Sequence, residues 1–489
     1  MDFSKTGRLC IGGKWVETDK TKDIINPADA SVLSKVYAGN ETHVDLAVKE
    51  AKEAFKQWGV SSVSYRAAIL FKIADLIEKN SRELAEIDTL NNGKPLRDSL
   101  GDVSDSAACF RYYGGLIDKP SGQVYSVPDP NMQSFVVREP IGVCGQIAPW
   151  NYPLMMAAWK LAPCLAAGNV SVFKPSDLTP LSSVRLFEIF EEAGLPAGVA
   201  NLVMGPGSVV GQAISGHTEI DKVVFTGGTD TGRKIMTGAV KNIKGISLEL
   251  GGKSPCIIFD DYDLEAGVDW ALFAIFCNQG EVCSAGSRLI LQDTIYDKFL
   301  DRLAQRAGQI KVANGLEEGA EMGPLVSKAH METVLSYIDI AKKEGARLIC
   351  GGKRITEGKF ANGYFVEPTI FADCKPDMRI VNEEVFGPVL AVQKFHTQEE
   401  AVELANATVY GLAGGVFSND ISRALQVIKA VKAGITWVNA YHPTFAQAPW
   451  GGYKQSGIGR ELGTFGLDEY TEIKQININL AAGKVGWFA

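Results

Sequence analysis

Apolar positions recur at helical spacing over residues 45–58 and 66–87, with charges between them, which predicts two helices. A short β-like run at residues 9–16 precedes them. This first part carries no candidate chemistry and reads as a helical layer over a sheet. From about residue 140 the pattern changes. Short apolar runs at 142–148, 169–173, 200–204, 222–225 and 245–250 alternate with helical stretches at 153–167, 180–193, 209–215 and 229–240. Five strands separated by helices predict parallel βα units covered on both faces. A nucleotide would then bind at the carboxyl ends of those strands. A second series has strands predicted at 254–259, 288–291, 348–350, 389–392, 414–417 and 434–438, with helices notably at 328–344 and 421–431. The expected fold class is therefore α/β, with two parallel α/β domains. Two segments fit neither series. Residues 123–137 read as a hairpin and residues 468–480 alternate like an edge strand, both expected to pair with another subunit.

Composition narrows the classes. A chain of 489 residues holds two or three domains at roughly 100–200 residues each. Hydrophobic residues at 46% and charged residues at 22% exclude disorder, collagen-like repeats and coiled coil as the main architecture. Lys+Arg number 49 against 57 Asp+Glu, and a net charge of -8 without basic tracts argues against nucleic acid or an anionic membrane as partner. No apolar run approaches the ~18 residues of a membrane span. The opening octapeptide, Met-Asp-Phe-Ser-Lys-Thr-Gly-Arg, lacks the apolar run of a signal peptide. Nine scattered cysteines suggest a reducing, cytoplasmic setting rather than a disulfide framework. Without pairs at metal-ligand spacing, no metal is expected.

Candidate chemistry gathers at the predicted strand ends. Gly205-Pro-Gly207-Ser-Val-Val-Gly211 follows a strand and opens a helix, and Phe225-Thr-Gly227-Gly-Thr-Asp-Thr-Gly232 repeats the arrangement one unit later. Such loops let a backbone approach a phosphate at a helix N-terminus, or are plain turns. Lys174-Pro-Ser176-Asp177 ends another strand. These groups suit ribose hydroxyls, and a carboxylate there disfavours a 2′-phosphate; alternatively Asp177 is a local cap. Cys283 lies among small residues in Asn278-Gln-Gly-Glu-Val-Cys283-Ser-Ala-Gly, as suits an accessible nucleophile, although a lone cysteine is more often a buried hydrophobe. Glu281, two residues away, would oppose thiolate formation if it points inward. Glu249 sits in an apolar run, as a general base or as half of an ion pair with Lys253. Asn151, in Pro149-Trp-Asn-Tyr-Pro153, offers an amide to an oxyanion or caps a helix.

Taken together, Pro149-Trp-Asn-Tyr-Pro153, Lys174-Pro-Ser176, Phe225-Thr-Gly227, Glu249-Leu-Gly-Gly-Lys253, Cys283 and Glu383-Glu-Val-Phe-Gly-Pro388 resemble, in order, the NAD(P)-dependent aldehyde dehydrogenase superfamily across nearly the whole chain. The stretch from His442 to Gly463 is most similar to its betaine aldehyde dehydrogenases. The resemblance implies that Cys283 attacks the aldehyde, Asn151 and the Cys283 N–H hold the oxyanion, hydride passes to NAD, and Glu249 activates the water that releases an acid. It also places Ala148, Pro149, Trp150, Lys174, Ser176, Asp177, Gly207, Gly211, Phe225, Thr226, Gly227, Leu250, Glu384 and Phe386 at the cofactor. Tyr152, Trp159, Val282, Ser284, His442 and Trp450 fall at the substrate, with Thr444 beside the mouth. It assigns 1–120 and 141–251 to a cofactor domain, 252–466 to a catalytic domain, and 121–140 with 467–489 to an arm that makes a dimer or tetramer.

Asp177 stands where relatives commonly have Glu, which predicts NAD preference with measurable NADP use. Glu281 replaces a common Gln, and Gly228 a common Ser. Tyr152 and Trp159, seven apart, share a helix face in this geometry, with Trp450 opposite. Three aromatic faces suit a quaternary ammonium by cation–π attraction, or are core packing. Betaine aldehyde is thus the expected substrate. The alternatives are 4-aminobutyraldehyde, its trimethyl form, or general aliphatic aldehydes. A non-redox cysteine esterase and a catalytically silent binding protein are the remaining readings.

Overall fold

The computed structural model describes residues 7–481 and 483–488. Residues 1–6 of the opening octapeptide lie outside that set. Two large sheets organise the chain. The first runs in the order Lys14–Val16, Leu9–Ile11, Ala200–Leu202, Val170–Lys174, Val143–Ile147, Lys222–Thr226, Gly245–Glu249, Gly457–Ile458. Its five central strands are the predicted ones, and they are parallel. Order in space reverses between Val143–Ile147 and Lys222–Thr226, because the chain first builds outward on one side and then returns to the other. The loops leaving those two strands diverge there, and a crevice opens at their carboxyl ends.

The second sheet runs Arg347–Cys350, Thr369–Ala372, Val389–Phe395, Arg288–Gln292, Pro255–Ile258, Ala413–Phe417, Ile435–Val438, with only the first strand antiparallel. Six of its strands match the predicted runs. Thr369–Ala372 does not, since a four-residue run after Pro368 carries too little periodicity to register.

Strand Gly457–Ile458 lies inside the segment assigned to the catalytic domain, yet it pairs with Leu248 and Glu249 at the edge of the first sheet. Gly457 has φ +147, and a Cβ there would stand 2.1 Å from the Leu248 carbonyl oxygen, so only glycine permits this return.

The predicted stretch 66–87 is two helices, Val63–Lys79 and Ser81–Asn92. Asn80 breaks them, its side-chain amide donating back to the Leu76 carbonyl at 2.7 Å. Helix Leu96–Leu116 was not legible, because its buried face includes Ser99, Asp102 and Ser106 rather than an apolar stripe. Helix Pro153–Ala166 is buried along its full length between the first sheet and this helical layer.

Each sheet has its own apolar core. Tyr152 and Trp437 pack against both cores, which marks the seam where the two sheets meet. The two segments outside the series form a separate antiparallel sheet, Thr471–Asn479 with Met132–Pro140 and Gln123–Tyr125. Among the described residues no helix is long and apolar enough to cross a membrane.

Candidate active site

Helix Leu264–Phe276 ends in an abrupt turn. Asn278, Gln279 and Gly280 take left-handed φ values of 47°, 56° and 72° in succession. A Cβ at Gly280 would lie 2.3 Å from the Gly387 carbonyl oxygen. Two consecutive non-glycine residues in this region cost about 1–3 kcal/mol each and persist only where the surroundings impose them. Here the Asn278 amide donates to the Asn151 and Glu281 carbonyls at 3.2 and 3.1 Å, and the Gln279 amide donates to the Glu281 carboxyl at 3.2 Å. The turn delivers Cys283, half-buried, to the wall of a cavity of about 560 Å³. Burial pushes the Cys283 thiol well up, and the charges of Glu384 and Glu249 add to it. Glu281 does not line that cavity. Its side chain lies behind the loop, where one oxygen accepts the Val326 N–H at 2.9 Å.

Asn151 follows the strand Val143–Ile147. It is not a helix cap, which is Tyr152, and its side-chain amide donates to the Glu281 carbonyl at 2.9 Å. Glu249 ends the strand Gly245–Glu249 on the cavity wall. Neither carboxyl oxygen has a hydrogen-bond partner, and the Lys253 ammonium has none either, so the alternative ion pair does not form. Burial raises the Glu249 carboxyl well above its ordinary range, and nearby Glu461 raises it further. Lys160 works the other way from inside the protein. Its ammonium donates to Glu461 at 2.6 Å and to the Thr226 hydroxyl at 2.5 Å. Glu461 escaped the sequence reading because it reaches the site only through the late return to the first sheet.

Pro149, Trp150, Thr226, Gly227, Leu250, Glu384 and Phe386 line the same cavity. Glu384 accepts the Gly252 N–H at 2.9 Å, and burial lifts its carboxyl to about 7. Ala148, Lys174, Ser176, Asp177, Gly207 and Gly211 lie outside that lining, along the carboxyl edge of the first sheet. Ala148 donates to the Lys174 carbonyl at 2.9 Å. The Lys174 ammonium, 3% exposed, is held by the Pro175 carbonyl and by Asp177 at 2.9 and 3.1 Å. A Cβ at Gly211 would stand 4.0 Å from the Lys174 side chain, and one at Gly207 or Gly228 would meet nothing within 4 Å. These glycines are not required by internal packing, which leaves an open face suited to a ligand. Phe225 is the exception to the predicted lining. Strand alternation turns its ring into the core, against Gly227.

The opposite wall is aromatic. Tyr152, Trp159 and Trp450 line it, joined by Trp270 and Phe273, which the sequence did not single out. Trp450 adjoins Trp159 edge to face at 5.4 Å instead of facing it across the space. One face of Tyr152 is covered by the buried Lys94 ammonium, 3.8 Å from the ring centre and 2.6 Å from Asp102. Asp102 and Asp105 also border the cavity. Partial burial, then the Asp102 charge, carries the Asp105 carboxyl up to about 6, so it is an anion at neutral pH. Val282, Ser284, His442 and Thr444 complete the border. His442, at φ +74, bonds to the Ala274 carbonyl at 3.0 Å and lies 3.4 Å from the Ser284 hydroxyl. Burial lowers it to about 4, so it is uncharged. All nine cysteines are free, and among the described residues no group of three or more His, Cys, Asp or Glu could hold a metal.

Comparison with known proteins gives the family and the fold. The model of the "Aldehyde dehydrogenase family" matches residues 15–476. The chain is 50% identical over 484 residues to a betaine aldehyde dehydrogenase of Bacillus subtilis (strain 168), covering 98% of this chain and 99% of that one. It is 45% identical over 493 residues to a peroxisomal aminoaldehyde dehydrogenase of Pisum sativum, covering 99% and 98%. Its fold is similar to a crystal structure of Staphylococcus aureus betaine aldehyde dehydrogenase in complex with NAD+, with a TM-score of 0.98, 48% identity, and coverage of 99% and 97%.

Proposed function

Since the chain belongs to the aldehyde dehydrogenase family, we propose that it oxidises a cationic aldehyde, betaine aldehyde first, to its acid with NAD and water. The observation that carries this reading is the single cavity in which Cys283, an unpartnered Glu249 and an aromatic wall with acids at its edge face one another. The Cys283 thiol gives up its proton to solvent and the thiolate adds to the carbonyl carbon, and the resulting alkoxide is held by the Asn151 amide and the Cys283 N–H. NAD, when bound, accepts the hydride that leaves this carbon, so the substrate loses two electrons and becomes a thioester on Cys283. Glu249 then takes a proton from water, whose oxygen attacks the thioester and releases the acid and the thiol. Lys174, Ser176, Glu384 and Phe386 are suited to hold the cofactor's sugars, with the open glycine faces at 207 and 228 beside its phosphates.

The aromatic wall supports a quaternary ammonium, because water solvates that diffuse charge weakly and a ring face competes for it. Asp105 adds long-range attraction for any cation. A primary aminoaldehyde, such as 4-aminobutyraldehyde, is the second reading, favoured by the same carboxylates. We further propose a homodimer or homotetramer, supported by exposed Val124, Ile473 and Ile478 on the separate three-stranded sheet. A cytoplasmic setting is supported by the nine free cysteines.

The test compares betaine aldehyde with 3,3-dimethylbutanal, which has carbon in place of nitrogen. A clearly higher kcat/KM for the cation is expected. Trp450→Ala should narrow the gap chiefly through KM, since the cation is held alike before and during hydride transfer. Equal treatment of both aldehydes by the wild type would leave a general aliphatic aldehyde dehydrogenase.

A further inference from the structure

His330 lies on the cavity wall, and neither the sequence nor the reaction above employs it. It sits in the first turn of helix Lys328–Lys343, whose cap is Ser327. Its Nε2 lies 2.7 Å from the Phe386 carbonyl oxygen. Its ring makes edge contacts with Trp150 at 5.0 Å and Phe386 at 6.1 Å, while Trp150 and Phe386 stand 5.1 Å apart. Phe386 is itself held at φ +59, a left-handed conformation that its surroundings must impose. The bond from His330 is what fixes its carbonyl.

The same helix is tied at its start to the nucleophile loop. The Val326 N–H, just before the cap, donates to the Glu281 side chain at 2.9 Å. The Glu281 main-chain carbonyl in turn receives the Asn151 and Asn278 amides at 2.9 and 3.1 Å. One residue thus fastens the helix start with its side chain and the oxyanion amide with its backbone. His330 Nε2 also lies 3.8 Å from the Glu281 carboxyl. Burial lowers His330 and raises Glu281, which weakens any ion pair between them. The His330 N–H is free to donate to Phe386.

We propose that His330 and Glu281 are positioning residues that join the loop bearing Glu384 and Phe386 to the loop bearing Cys283, so that seating the cofactor's second ribose on the first loop sets the reactivity of the thiol on the other. The inference rests on the NAD-dependent reading above. A separate route exists through Glu384, the Gly252 N–H and the Cys283 carbonyl, which a Cβ at Gly252 would approach to 2.4 Å. His330 has no part in that route, so altering His330 alone isolates the proposed one.

The experiment follows the rate of Cys283 alkylation by iodoacetamide, read by peptide mass spectrometry, in the full-length protein. The probes are ADP-ribose, which carries the second ribose without the nicotinamide ring that would cover the thiol, and AMP, which stops at the adenosine side. In wild type, saturating ADP-ribose should change the rate at least about fivefold, the low end of ordinary coupling between sites, and AMP should not. His330→Phe keeps a ring against Trp150 and Phe386 but has no donor, and should lose the response. His330→Gln restores an N–H donor and should recover it. Glu281→Gln should retain the response and Glu281→Ala should lose it. A full response in His330→Phe would overturn the proposal, as would no response in a wild-type protein that calorimetry shows to bind ADP-ribose. Absence of ADP-ribose binding would instead mark failure of the NAD-dependent reading, and the inference would fall with it.

Discussion

Two buried glutamates flank Cys283, and their differences favour Glu249 as the proposed base better than either one alone. Glu249 is 5% exposed and Glu281 0%, and burial holds both carboxyls well above the ordinary range. Glu281 has its oxygens engaged by Val326 and Gln279 and lies behind the loop. Glu249 has both oxygens free, lines the cavity, and meets further negative charge from Glu461. A buried polar group left unsatisfied costs about 1–3 kcal/mol, and it is retained only where something beyond packing needs it. Burial and a raised pKa are therefore common to a carboxyl with free oxygens and one with engaged oxygens, and hydrogen-bond satisfaction separates the two.

The largest expected effect comes from exchanging each carboxyl for an amide. Glu249→Gln should lower steady-state turnover by ~10²–10⁴-fold, the usual worth of a general base, while a burst of about one NADH per site persists. Glu281→Gln, which keeps an acceptor for Val326, should leave turnover within a few-fold of wild type. Similar losses in stopped-flow and steady-state traces for both variants would break the contrast.

Asn151 sharpens it from the other side, since its amide is oriented by the Glu281 carbonyl. Asn151→Ala should slow the burst itself by ~10²–10³-fold, as for loss of one oxyanion donor. A slowed second phase with an intact burst would assign it elsewhere.

The pH dependence is smaller and has a definite sign. A carboxyl with a raised pKa keeps its proton at low pH, so the base form of Glu249 and hence acyl release should rise with pH beyond the ordinary carboxylate range. Glu461→Gln removes a like charge and should move that midpoint to lower pH. Movement in the opposite direction in single-turnover profiles would contradict the assignment of causes.

Asp177 supplies the weakest test, as a third carboxylate that is neither free nor buried behind a loop but paired with Lys174. Asp177→Glu should raise the NAD-to-NADP ratio of kcat/KM by about fivefold, corresponding to the ~1 kcal/mol of a solvent-accessible charge contact. Unchanged ratios would remove Asp177 from cofactor choice.

Much of this arrangement was legible in the chain. Runs of Val, Ile and Phe between glycine loops located the five parallel strands, and Cys283, Glu249 and Asn151 each stood out at a strand end or in a loop of small residues. Direction was not legible. Nothing in the spacing of Glu281 and Cys283 tells which way the glutamate turns, because two successive left-handed residues upstream decide it. Nor could the pattern reveal Lys94 on the ring of Tyr152, Asp105 at the edge of the cavity, or His330 beneath Phe386, since each comes from an element distant in sequence. The sequence set Trp450 opposite Trp159, and their edge-to-face contact instead depends on a tertiary turn.

That turn, in which Gly457–Ile458 returns to the first sheet with Trp450 and Glu461 on either side, has a consequence for biosynthesis. The thiol is translated long before its enclosure can exist. At about 5–20 residues per second, roughly 10–35 s separate synthesis of Cys283 from that of Glu461. Throughout that window the nascent chain lacks the last edge of its first sheet, and neither Trp450 nor the acidic neighbour of Glu249 has emerged. A chain stalled before residue 457 would carry Cys283 without the acidic neighbour of Glu249, so the proposed site is complete only once Glu461 has been made.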